Sequence, residues 1–126
     1  MMSDKTEPTV LIFDADVVVR GAVAQYLREC GYEVIESSTD DEARQMLAQP
    51  QLNIDIVIVA PTDQFSAQHF AFAKWIREQH ANVRVLLAAS VEKTARLAAD
   101  ICERGPHLRK PYHPEALIDW IKRLRS

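Results

Sequence analysis

An open parallel α/β sheet with helices on both faces is the fold class this sequence predicts, as one domain of five strands and five helices. Two periodicities alternate along the chain. Short apolar runs of the kind that form buried strands take turns with stretches whose apolar residues recur at helical spacing. The connections are short, and no repeat, low-complexity tract or linker interrupts the alternation. A chain of 126 residues is large enough for a single core without staples.

The elements follow in order. Val10-Leu11-Ile12-Phe13 reads as a buried strand that feeds a loop, Asp14-Ala15-Asp16. Val17 to Cys30 is helical on the period of Val19, Val23, Tyr26 and Leu27, and Gly31 supplies the stop. Tyr32 to Glu36 alternates as a strand. Ser38-Thr39-Asp40-Asp41-Glu42 then offers cap residues and early acids ahead of Ala43, Met46 and Leu47. Ile54 to Val59 is the third strand, and Ser66 to His80 a helix on Phe70, Ala73 and Ile76. Val83 to Leu87 is a strand, and Glu92 to Cys102 a helix built on Ala95, Ala98 (or Ala99) and Cys102 before Gly105-Pro106. His107 to Arg109 reads as a short fifth strand, and Pro114 to Leu124 as a closing helix with Leu117, Ile121 and Leu124 inward. Residues 1–8 are polar, lack the apolar stretch of a secretion signal, and are expected to form a tail ahead of a domain at 9–126.

Composition narrows the function classes. A formal net charge of -3 gives no general basic field, so direct nucleic-acid binding is not expected. Apolar runs such as Ile54 to Pro61 are far too short to span a bilayer. Cys30 and Cys102 lie far apart without paired spacing, and are expected as reduced thiols in a cytoplasmic protein, neither a disulfide nor a metal site. There is no G-x-G-x-x-G and no P-loop, so no nucleotide cofactor is expected. His69 and His80 share a helical face but stand about 16 Å apart, too far to share an ion. No nucleophile has a base at recognisable spacing, so an enzyme is not expected.

In open α/β sheets, function gathers at the carboxyl ends of the strands, near the point where strand order reverses. Those ends are Asp14-Ala15-Asp16, Ser37-Ser38, Ala60-Pro61, Ala88-Ala89-Ser90 and Lys110-Pro111. Together with Arg20, Tyr26-Leu27-Arg28-Glu29 and Gly31-Tyr32-Glu33-Val34, they resemble the receiver domain of two-component response regulators over the stretch from Val10 to Leu124. The resemblance implies a flavodoxin-like, doubly wound sheet of five parallel strands in the order 2-1-3-4-5, the fold of the chemotaxis response regulator.

The departures from that family are concentrated in one place. The family's adjacent acid pair falls on Asp14 and Ala15, the phosphoacceptor aspartate on Ala60, and the hydroxyl residue after the fourth strand on Ala89. The lysine falls on Lys110 and the aromatic switch position on His107. In the family, a carboxylate attacks the phosphorus of a phosphohistidine, which needs in-line placement and charge neutralisation by magnesium and lysine. Alanine at 15, 60 and 89 removes an acid, the acceptor and the hydroxyl together. The resemblance therefore implies a pseudo-receiver: no phosphoacceptor, no metal, no cofactor, and a vestigial pocket of Asp14, Ala15, Ala60, Ala89 and Lys110, with Asp14 and Lys110 expected to face each other.

Two other readings stay open. Asp63 or Asp16 offers a displaced acid for a phosphorelay receiver, against a plainer role for Asp16 and Ser90 as helix caps and for Asp63 in a solvated loop. A flavodoxin-type domain that binds a small ligand in the vacated pocket is the third. The implied partners are signalling proteins (a histidine kinase, a regulator or an effector) or a second copy of the chain. The candidate contact face carries Arg96, Arg109, Trp120 and Arg123, with Trp120 expected as an exposed hot spot amid cations. As a full protein the chain is expected to act as a stand-alone module through contact; as a fragment, its pathway would be set by the domain after Ser126.

Overall fold

The computed structural model describes residues 8–60, 66–104 and 113–125. Their strands are β1 (Thr9–Phe13), β2 (Glu33–Ser37), β3 (Ile54–Val59) and β4 (Arg84–Leu87). The helices are α1 (Val17–Glu29), α2 (Asp40–Leu47), α3 (Ala67–Gln79), α4 (Val91–Arg104) and α5 (Pro114–Arg125). All strand pairs are parallel and the sheet order is β2-β1-β3-β4. The expected fifth strand, His107 to Arg109, lies outside the described residues, as do residues 1–7 of the tail expected at 1–8.

Helix starts are set by side chains that satisfy the first, unpaired N–H groups. The Asp16 carboxylate accepts from the N–H groups of Val18 and Val19, and Thr39 accepts from Glu42. Ser66 opens α3 in a reciprocal arrangement with His69, whose ring nitrogen accepts from the Ser66 N–H. Gly31, after the α1 C-cap, takes φ 98°, a left-handed conformation that a Cβ would disfavour. Asn53 takes φ 55° to turn a 3-10 segment, Pro50–Leu52, into β3.

Strand alternation divides the core into two layers. Val10 and Ile12 of β1 and Ile56 and Ile58 of β3 face α1, α4 and α5, where they meet Val19, Val23, Leu27, Ala98, Leu117 and Ile121. Leu11, Val57 and Val59 face α2 and α3, against Ala43, Leu47, Phe72 and Ile76. On that second side Arg44 of α2 stacks over Phe72 and Trp75 of α3, 5.0 and 4.5 Å from the ring centroids.

The α1 layer holds a correction. Cys30 and Cys102 are not free thiols: they are joined in a disulfide, with Cα atoms 5.5 Å apart across a separation of 72 residues. Spacing along the chain could not reveal this, because the contact exists only once α4 lies beside α1. In the chain-entropy account, closing a loop of that length contributes roughly 4 kcal/mol.

Helix α5 runs back along α1. Ala116 and Leu117 line a groove with Gln25, Tyr26 and Glu29 from the C-terminal half of α1. Arg125 reaches the other end, with Nη2 3.6 Å from Asp16 Oδ2. The last turn of α4 and the first turn of α5 therefore both lie near the end of α1 remote from Asp14.

Candidate functional site

The carboxyl ends of β1, β3 and β4 are drawn together by the sheet's own hydrogen bonds. Ala60 N–H donates to the Phe13 carbonyl at 2.9 Å and Ala88 N–H to the Val59 carbonyl at 3.0 Å, while Asp14 N–H donates to the Ser37 carbonyl at 3.1 Å. Strand order reverses between β1 and β3, so Asp14 and Ala60 stand at the switch point of the sheet.

Each residue there has a definite role. Asp14 is 3% exposed, and its Oδ1 accepts the N–H of Asp16 at 2.9 Å, closing a turn after β1. Ala15 is exposed, whereas Ala60 is 1% exposed and belongs to the α1-side core. Ala89 is half-buried. Ser90 caps α4, with its Oγ 3.1 Å from the Lys93 N–H. Asp16 caps α1 and meets Arg125, so its carboxylate is engaged at both oxygens. Lys110, His107, Asp63 and Arg109 lie outside the described residues.

A clamp that periodicity did not single out fixes the geometry of this loop. Arg20 of α1 donates from Nη1 to the Asp14 carbonyl at 2.7 Å and from Nε to Glu36 Oε1 at 3.1 Å. Arg28, about two turns further along the same helix face, reaches Glu36 Oε2 at 3.4 Å. The sequence signal was available: Glu36 is a charge on the α1-facing side of β2, where it needs a cation.

Among the described residues, the donor set at these strand ends does not fit magnesium. That ion wants several hard oxygen ligands in octahedral array. At the ends of β1 and β3 the described side chains are Asp14, Ala15, Asp16 and Ala60, and the Asp16 carboxylate is taken up by the α1 cap and Arg125. Among the described residues, no group of three or more His, Cys, Asp or Glu side chains converges.

The remaining candidates separate in space. Arg96 of α4 lies 3.6 Å from Glu115 of α5, on the seam between those helices. Trp120 is half-buried, packs against the α1-side core, and lines the α1–α5 groove with Arg123. The groove encloses about 330 Å³. Arg96 and Trp120 thus face different neighbours. No described helix is long and apolar enough to cross a membrane.

Comparison with known proteins agrees with this architecture. No protein-family model matches the sequence. The chain is 27% identical over 120 residues to the transcriptional regulatory protein GltR of Pseudomonas aeruginosa, covering 92% of this chain and 48% of that protein. It therefore spans about half the length of the curated relative it matches. Among solved structures, a response regulator of Thermotoga maritima superposes with a TM-score of 0.58 at 24% identity, covering 93% of this chain and 96% of that one. Chemotaxis response regulator CheY4 of Vibrio cholerae gives 0.58 at 24% identity, over 94% and 99% of the two chains. HP1043, an orphan response regulator of H. pylori, gives 0.55 at 20% identity, over 95% and 98%. The chain has the flavodoxin-like α/β fold of a response-regulator receiver domain, with β2-β1-β3-β4 order among its described strands.

Proposed function

We propose that this domain is a pseudo-receiver of two-component signalling, which works by contact with other signalling proteins and neither accepts phosphate nor catalyses a reaction of its own. The observation that carries the reading is Ala60, a buried methyl group at the end of β3, on which the resemblance to receivers puts the acceptor carboxylate. Asp14 supports it, because a turn N–H already occupies one of its oxygens. Asp16 is a poor substitute acceptor, since its carboxylate caps α1 and pairs with Arg125. A cytoplasmic setting and kinase, regulator or effector partners belong to the same reading.

Intact mass after treatment with acetyl phosphate and magnesium tests it. The expected result is an unchanged mass. A stable phosphoryl adduct, lost in Asp16→Ala or Asp63→Ala, would replace this reading with a phosphorelay receiver that uses a displaced acid.

A further inference from the structure

Helix α4 is held to the rest of the fold in an uneven way. Its buried residues are Thr94, Ala95, Ala98, Ile101 and Cys102, so Ile101 is the one large aliphatic side chain among them. By contrast α1 buries Val19, Val23, Tyr26 and Leu27. Alanine removes little apolar area from water, so in the first half of α4 the partly buried Val91 is the larger side chain that packs on the core beside Ala95 and Ala98. The Thr94 hydroxyl donates to the Ser90 carbonyl of its own first turn and ties α4 to nothing else. The strong attachments cluster in the last turn, where the Tyr32 hydroxyl donates to the Ile101 carbonyl and Cys102 is bonded to Cys30.

We infer that the Cys30–Cys102 pair is a redox-controlled clamp on α4: oxidised, it holds α4 as part of the core; reduced, it lets α4 open as a separate unit, while α5 stays anchored on α1 through Leu117 and Ile121. Both sulfurs belong to residues that are almost wholly buried, 0% and 2% exposed, so exchange waits on opening of the α1–α4 seam. Where glutathione and thioredoxin keep thiols reduced, the dithiol is the resting form and the disulfide marks oxidation. The step is thiol–disulfide exchange. A small-molecule disulfide accepts the two electrons, the Cys30–Cys102 bond forms as the oxidant's S–S bond breaks, and the two thiol protons leave on the two small thiols released. A small dithiol drives the reverse.

Hydrogen exchange resolved by mass spectrometry tests this on the full chain, after oxidation with glutathione disulfide and after reduction with dithiothreitol. A Cys30–Cys102 linked peptide should appear on oxidation. In the oxidised protein the amides of α4 should exchange in the same slow class as those of β1 and β3. In the reduced protein they should form a separate class, at least tenfold faster than β1 and β3. Cys102→Ala should show that fast class under both conditions, and should it fail to fold, the reduced native chain carries the comparison. Absence of the linked peptide overturns the proposal. So does reduced protein in which α4 still exchanges with β1 and β3, because the bridge is then a plain staple of the whole fold.

Discussion

The Tyr32 hydroxyl donates a 2.6 Å hydrogen bond to the carbonyl of Ile101, joining the residue before β2 to the last turn of α4 across 69 positions of sequence. The bond is buried, so neither group has water to fall back on. Replacing Tyr32 by Phe leaves the Ile101 carbonyl without its donor. The expected loss is about 1–2 kcal/mol in urea unfolding, with the m-value unchanged. A variant as stable as the native chain would show that the bond contributes nothing.

Alkaline unfolding should involve two tyrosines. Burial raises the pKa of Tyr26, with Glu103 adding to it, and burial raises that of Tyr32 against a smaller opposing pull from Arg84. Both therefore titrate above the ordinary 10.0 in the folded chain. Their contribution to stability is fully present below that pH. It is lost as pH rises through the raised folded values, since the unfolded chain ionises first. Melting temperature should fall steeply above about pH 10, and less steeply in Tyr32→Phe. Equal slopes would count against the shift at Tyr32.

The acid limb has its own marker. The Glu42 carboxylate accepts from the Ser38 N–H at 2.9 Å and from the Ser38 hydroxyl at 3.3 Å, and the backbone N–H is the main cause of its lowered pKa. That stability is present above the ordinary value of 4.5 and is lost as pH falls through the lowered one. Glu42→Gln should flatten the fall of melting temperature below pH 4.5. An unchanged acid limb would contradict the assignment.

Ser37 presents the opposite situation to Tyr32. It is 2% exposed at the end of β2, and its hydroxyl has no hydrogen-bond partner among the described residues. A buried hydroxyl without a partner is unfavourable, so Ser37→Ala should stabilise the fold by about 1 kcal/mol. A destabilised variant would mean that the hydroxyl is satisfied by a bound water or ligand.

Placing acids at these strand ends tests the proposed pocket directly. Ala60→Asp places a carboxylate where the side chain is 1% exposed, next to the strand end that bears Asp14. The expected destabilisation is about 3 kcal/mol or more without divalent ions. In Ala15→Asp/Ala60→Asp, magnesium should recover part of it by binding the folded state alone. Melting temperatures with and without magnesium decide the matter, and indifference to magnesium would show that the pocket lacks the spacing of a metal site.

Much of the architecture was legible because local signals coincided. The run Ile54 to Val59 and the cap residues Asp16, Thr39 and Ser66 locate elements through properties of neighbouring residues alone. The period of Ala95, Ala98 or Ala99, and Cys102 narrowed the buried side of α4, and the structure buries Ala98. The period could not show which sheet face that side meets, since periodicity carries no information about the partner. The disulfide was missed for the same reason: Cys30 and Cys102 become neighbours through packing, not through spacing. At the site, the absence of carboxylates at 15 and 60 was visible at once. The Arg20 clamp was not, because an arginine on an amphipathic helix looks like surface until Glu36 is placed beneath it.

The two tryptophans divide between the layers, Trp75 packing with α2 and α3 and Trp120 with α1 and its neighbours. Their indole rings are thus independent optical probes on opposite sides of one sheet. With Trp75→Phe, emission would report the α1 side alone; with Trp120→Phe, it would report the other. Any event confined to one side, whether a partner docking or a helix opening, would then register in one emission band and leave the other still.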